Sequence, residues 1–257
     1  MFSVPRHPFD LNVIEHAIHF PRVITTAPDD AALLTALTKR NQDLTCTDKE
    51  QTALNNLVTK ISTVLDNIVV APGDFDKCCI EEVRQVGSYK KGTMRTGKNI
   101  ADIVIILKTI PTKESIEALC KKVEELLKES MKTEVIPKNE MITFQITEKG
   151  FDVFNWLARI CILIATLPPN IRKVENAEMQ KHLINNLSAI RHIRFFEENS
   201  NSSVKVLIRI LRDVASRFEA LSVMNPWMID LLANFAILSN SNRQALSLNQ
   251  AFRRVFQ

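Results

Sequence analysis

Apolar positions along this chain recur with two different periods. Thr47 with Glu50 three residues on has the form of a capping box, and Leu54, Leu57, Val58, Ile61, Val64, Leu65 and Ile68 follow at helical spacing. The pattern predicts an amphipathic helix that ends before Pro72-Gly73. Ile80–Val86 has the length and β-branched content of a strand. Ile100–Leu107 is an almost unbroken apolar run with one acid, Asp102, as a strand buried on both faces would be. A second amphipathic helix is predicted from about Thr112, with Ile116, Leu119, Cys120, Val123, Leu126 and Leu127 on one side. Met141–Thr147 alternates and Ala158–Leu167 is again apolar, which predicts two more strands before Pro168-Pro169.

Beyond Pro169 the strand signal stops. Leu183, Leu187, Ile190 and Ile193 repeat along one helix, and Leu207, Ile210, Leu211, Val214, Phe218 and Leu221 along the next. Asn225-Pro226 supplies an N-cap and first-turn pair for a third, through Trp227 to Leu238. Before the first strong helix, Pro5, Pro8, Pro21 and Pro28 interrupt any helical run and leave an extended arm. The expected organisation is α+β: an arm and short helix over residues 1–46, a mixed-sheet lobe over 47–170 and an all-helical lobe over 171–257. The junction falls in the charged segment Asn170–Glu178.

Composition adds little to this picture and removes several classes. With 46% hydrophobic and 24% charged residues among 257, the chain has the apolar content that a disordered sequence lacks. The N-terminal residues show no signal-peptide pattern, and no run approaches the roughly 20 apolar residues of a membrane span, so no membrane partner is expected. The five cysteines are odd in number and lack a Cys-x-x-Cys spacing; reduced thiols are the simplest reading. Net charge is +4, and it is uneven: residues 167–257 hold 12 Lys/Arg and 7 Asp/Glu, leaving 21 and 22 for the rest. Such an excess is compatible with an anionic partner, though more often it is a solvated surface. His16 and His19 have a ligand-like spacing, but beside Pro21 they read as arm residues. Trp156 and Trp227 read as core or interface aromatics, and the single tyrosine, Tyr89, gives no aromatic-basic platform for single-stranded RNA.

The most informative stretch runs from Val86 through Gly87-Ser88-Tyr89-Lys90-Lys91-Gly92-Thr93 to Asp102. Glycine lets a backbone approach a phosphate, and a serine hydroxyl with neighbouring N–H groups can cradle one. Gly-Ser alone is far more often a turn. A strand ending in Gly-Ser, a short turn and then a strand carrying an acid resembles the nucleotidyltransferase fold. Within it the chain resembles the domain-associated-with-zinc-fingers (DZF) family, through Glu81–Met94, Lys39–Leu44, Leu167–Lys173 and Val204–Arg212, over essentially its whole length.

The resemblance carries several expectations. Catalytic members of the superfamily hold two Mg²⁺ ions with three carboxylates, two of them from an acid-x-acid pair. Here that pair reads Ile100-Ala101-Asp102, and the strand running into Pro168 has no acid, since none lies between Asp152 and Glu175. The expectation is a degenerate enzyme with two of three carboxylates missing, no catalytic residue, and Asp102 as a weak candidate for a single metal. A vestigial nucleotide site would comprise Gly87, Ser88, Asp102 and the stripe Lys205, Arg209 and Arg212. That stripe is also similar to the helical region of oligoadenylate synthetases, where basic residues hold the triphosphate; a solvent-facing polar face is an equal reading. No cofactor is required, and a weakly held nucleoside triphosphate with Mg²⁺ is the one admitted. The implied partner is a DZF protein carrying double-stranded-RNA-binding or zinc-finger modules, with RNA reached mainly through it, DNA as a further ligand class, and the nucleus, with the cytoplasm second, as location. The implied role is RNA metabolism and transcription regulation. The alternative is an active, metal-dependent, template-free nucleotidyltransferase. Family members extend past both ends of the matching segment, so a shorter helical lobe and weaker pairing are also expected.

Overall fold

The computed structural model describes residues 30–73, 75–131, 141–239 and 244–256. The proline-rich arm with His16 and His19 lies outside them. Helix α1 (Ala31–Leu44) is capped by Asp30, whose carboxylate accepts from the Leu33 N–H at 3.0 Å. Helix α2 (Asp48–Val70) starts at the foreseen capping box: Thr47 N–H donates to Glu50 at 2.8 Å and Glu50 N–H returns to the Thr47 hydroxyl at 3.3 Å. Then come β1 (Ile80–Val86), the one-turn helix α3 (Gly87–Lys91), β2 (Ile100–Leu107), α4 (Lys113–Ser130), β3 (Thr143–Thr147), β4 (Gly150–Phe154) and β5 (Arg159–Thr166). The remainder is helical: α5 (Pro168–Ile171), α6 (Ala177–Asn199), α7 (Ser202–Ala215), a 3-10 turn at Glu219–Leu221, α8 (Pro226–Leu238) and α9 (Leu248–Val255).

The five strands form one mixed sheet in the order β1-β2-β5-β4-β3, parallel only between β2 and β5. Side-chain alternation divides the central strands between two faces. Ala101, Ile103, Ile105 and Leu107 of β2, Ile160, Ile162 and Ile164 of β5, and Phe151 and Val153 of β4 join one core with the apolar stripes of α2 and α4. On the other face Val86, Val104, Ile106 and Ala165 pack against Ile193, Leu187 and Ile190 of α6. Towards the start of β2 and β5 that second face carries Ile100, Asp102, Arg159, Cys161, Phe154 and Asp152, and here the candidate chemistry lies.

Three details differ from the expectation. Between Met141 and Pro168 there are three strands: β4 was not foreseen, because Gly-Phe-Asp-Val-Phe is short and follows a Glu148-Lys149 turn that closes a hairpin with β3. Helix α7 stops at Ala215, where the Ser216 hydroxyl donates to the Asp213 carbonyl at 2.7 Å, so Phe218 and Leu221 fall beyond it and Phe218 is exposed. The layers also cross the sequence segments. Helix α6, beyond the Asn170–Glu178 connection, covers the sheet, with Asn186 donating to the Ile164 carbonyl at 2.7 Å. Helix α1 instead joins the helical part through Leu37 and Leu44 against Ile210. Among the described residues no helix is long and apolar enough to cross a membrane.

Candidate functional site

The site begins where β1 hands over to α3. Val86 pairs with Asp102 across the two strands, and the chain turns at Gly87, φ +69°. A Cβ on Gly87 would fall inside the Asp102 carboxylate, so glycine is required for conformation and for space. Gly87→Ala is therefore expected to destabilise the fold by about 1–3 kcal/mol. A urea midpoint within error of the unaltered chain would show that Asp102 moves aside freely.

Asp102 carries no hydrogen bond from any donor among the described residues. Burial pushes its carboxyl up to about 6; Lys91 opposes the rise and the nearby Asp152 charge adds to it. Strand register brings Asp102, Cys161 and Asp152 into one row across β2, β5 and β4. Burial, then the two aspartates, raise the Cys161 thiol to about 12, so it stays neutral and unreactive. The acid expected on the strand entering Pro168 thus has a counterpart one strand over, on the strand that sequence reading missed. Asp152 is already taken. Arg159, two residues before Cys161 on β5 and paired with Ile100 and Phe154, reaches the Asp152 carboxylate at 2.9 Å and lies 5.4 Å from the Phe154 ring.

These residues do not fit a two-metal centre. Ile100 offers no ligand, Asp152 is held by a guanidinium, and no three His, Cys, Asp or Glu side chains among the described residues are grouped to hold a metal ion.

The basic stripe of α7 lies at the other end of α3. Arg212 donates to Asp230 at 2.6 Å and to the Thr93 hydroxyl at 3.4 Å. Arg209 ties the Gly92 carbonyl, at 2.8 Å, to the Asn41 side chain, at 2.9 Å. Both arginines thus fasten the helical part to the turn after α3. Lys205 keeps its ammonium beside Gly92 with no ion-pair partner among the described residues. Ser88 likewise has no side-chain hydrogen bond among the described residues, and it follows Gly87 at the start of α3, where Gly87 lies against Asp102. Gly87, Ser88 and Asp102 are therefore brought together, while Lys205, Arg209 and Arg212 lie one short helix away.

The sequence reading missed the group that joins the two ends. Lys91 on α3 is buried and meets Asp230 on α8 at 2.5 Å, with the rings of Phe196 and Trp227 at 5.5 and 5.6 Å from its nitrogen. Trp227 in turn stacks on His192 at 3.9 Å. A lone charge inside the mostly apolar run Pro226–Leu238 was the available signal. The quoted motifs around this group prove architectural as well. Arg40 forms a two-pronged pair with Asp213 at 2.9 and 3.0 Å, and Asn170 donates to the Lys108 carbonyl at 2.7 Å.

A mixed sheet with a Gly-Ser turn beside an acid-bearing strand, followed by a helical part, is a nucleotidyltransferase-like architecture, and solved structures agree. CdnC of E. coli MS115-1, solved with ATP, superposes with a TM-score of 0.55 at 13% identity, over 89% of this chain and 71% of that one. The same protein with HORMA-deltaN gives 0.52 at 11% identity, over 80% and 64%. Cid1, solved in connection with its RNA terminal uridylyl transferase activity, gives 0.54 at 10% identity, over 88% and 69%. This chain thus spans about two thirds of the length of each. The sequence itself matches the DZF N-terminal domain over residues 1–201 and the DZF C-terminal domain over residues 203–257, and the chain belongs to the DZF family.

Proposed function

We propose that this protein is a non-catalytic member of the nucleotidyltransferase-like fold, a scaffold that pairs with a second DZF protein bearing double-stranded-RNA-binding or zinc-finger modules. In this reading its segments Glu81–Met94 and Val204–Arg212 resemble interleukin enhancer-binding factor 2. In this reading it works in RNA metabolism and transcription regulation in the nucleus and touches RNA mainly through its partner. The observation that carries the non-catalytic part is the carboxylate face, where Ile100 stands in the acid-x-acid position and Arg159 occupies Asp152. Phosphoryl transfer leaves most charge neutralisation to its metal ions, so losing their ligands removes most of the catalysis. The pairing part draws support from family membership and from α8, which exposes Met228, Leu231 and Phe235 along one flank, with Val223 and Phe256 exposed as well.

Gly87, Ser88 and Asp102 form a vestigial pocket that holds a nucleoside triphosphate weakly, with Lys205 the one stripe cation left for a phosphate. The competing reading, an active template-free enzyme, is favoured by one observation, the alignment of Asp152 with Asp102 across β5. One experiment separates them. With labelled nucleoside triphosphates, Mg²⁺ or Mn²⁺ and an RNA primer, no extension is expected; extension that disappears in Asp102→Ala and in Asp152→Ala would establish the enzyme. Recovery of a DZF protein with RNA-binding modules on the purified full chain tests the pairing, and a monomer that retains none refutes it.

A further inference from the structure

Asp152, in the same row as Asp102, faces a cation that belongs to the protein. Arg159 reaches the Asp152 carboxylate at 2.9 Å from the next strand, directly beside Ile100, the position where a metal-binding acid would stand. Its guanidinium also lies against the Phe154 ring, whose face favours positive charge. Asp102 has other cations near it: Lys91, then Lys149 and Arg212, with Lys91 and Arg212 both anchored on Asp230. Arg159 is not saturated by its ion pair, because its Nε is buried without a hydrogen-bond partner. A guanidinium has five N–H donors in a fork that matches carboxylate and phosphate oxygens alike.

We infer that Arg159 is the resident cation of this face: it takes the charge role that a divalent ion has in a two-metal centre, so the face excludes divalent ions and any nucleoside triphosphate it accepts binds without one. The nucleotide half of this inference rests on the pocket proposed above. The exclusion half does not.

Two measurements on the full chain keep the halves apart. The first titrates Mn²⁺ alone and follows the free ion by its paramagnetic resonance signal. The unaltered chain is expected to leave Mn²⁺ free, whereas Arg159→Ala combined with Ile100→Asp, which uncovers Asp152 and restores the acid-x-acid pair, should bind it. Arg159→Lys, which keeps a positive charge and serves as a control for folding, should leave Mn²⁺ free. Mn²⁺ bound by the unaltered chain and lost in Asp102→Asn or Asp152→Asn overturns the inference. The second follows a fluorescent ATP analogue by anisotropy in EDTA and in Mg²⁺. Equal affinity in both is expected, with about a tenfold or greater loss in Arg159→Ala, as for removal of a charge-assisted hydrogen bond. Binding only in Mg²⁺ overturns the inference and leaves the pocket standing. Absence of binding in either buffer overturns the pocket, and the Mn²⁺ titration then decides the exclusion by itself.

Discussion

Asp230→Ala is expected to destabilise the protein by about 3–5 kcal/mol, the cost of leaving buried charges without their partner. Its carboxylate is 1% exposed and bridges Lys91, 7% exposed, and Arg212, 13% exposed. Neither cation can swing to water, since Lys91 is enclosed by Asp230, Phe196 and Trp227 and Arg212 is drawn against Thr93. Folded domains are stable by only about 5–15 kcal/mol, so the loss is a large fraction of the whole. The damage should be directional. Lys91 belongs to α3 and Asp230 to α8, so the helical part should loosen from the Gly-Ser turn, and the burial of Trp227 should fall before the sheet melts. Urea unfolding followed by far-ultraviolet circular dichroism and by tryptophan emission measures both effects. Lys91→Met, Arg212→Met and Asp230→Leu together should recover much of the loss, because a buried ion cluster replaced by apolar groups of similar size is often no less stable. A change under about 1 kcal/mol in Asp230→Ala would show that apolar packing alone holds the interface.

The elements were legible where one period dominated. The stripe from Leu54 to Ile68, the run Ile100–Leu107, the caps at Thr47 and Asn225 and the helix start near Thr112 are all found as read, because each is fixed by neighbours within a turn or by burial on both faces. Strand β4 was not legible. Its five residues acquire their conformation by pairing on both sides, between β3 and β5, and Gly150 is needed there because a Cβ would collide with the Ile162 carbonyl. Missing β4 hid Asp152, and with it the ion pair to Arg159. The same limit applies to the basic stripe. Lys205, Arg209 and Arg212 do share a side of α7, as the spacing requires, but their partners come from Asn41, Gly92 and Asp230, far away in sequence. Helical spacing says which side chains stand together and not whether a ligand or the protein's own interior meets them.

Asp102→Asn is expected to raise stability at neutral pH, and this result would bear most directly on why the residue is present. The folded-state carboxyl titrates at about 6, against an ordinary value of 3.8. Between those values the folded chain holds a proton that the unfolded chain has released, so the contribution of Asp102 to stability is complete below pH 3.8 and is lost as pH rises through 6. The difference corresponds to at most about 3 kcal/mol, and the partly open edge of the carboxylate lets water reduce it to about 1–3 kcal/mol. Asparagine is nearly the same shape and carries no charge, so it should recover that amount at pH 7 and flatten the stability profile between pH 4 and 6. Glu50 acts in the opposite sense: amide donors from Gly97 and Thr47 hold it at about 2, so its contribution is present above pH 4.5 and fades as pH falls towards 2. The two windows barely overlap, which lets thermal unfolding from pH 4.5 to 7 report on Asp102 without interference from Glu50. A carboxylate that weakens the fold at physiological pH, pressed against a glycine that can be nothing else, has the signature of a site kept for binding. Equal melting temperatures for the unaltered chain and Asp102→Asn across that range would remove the signature and leave Asp102 as an ordinary half-buried acid.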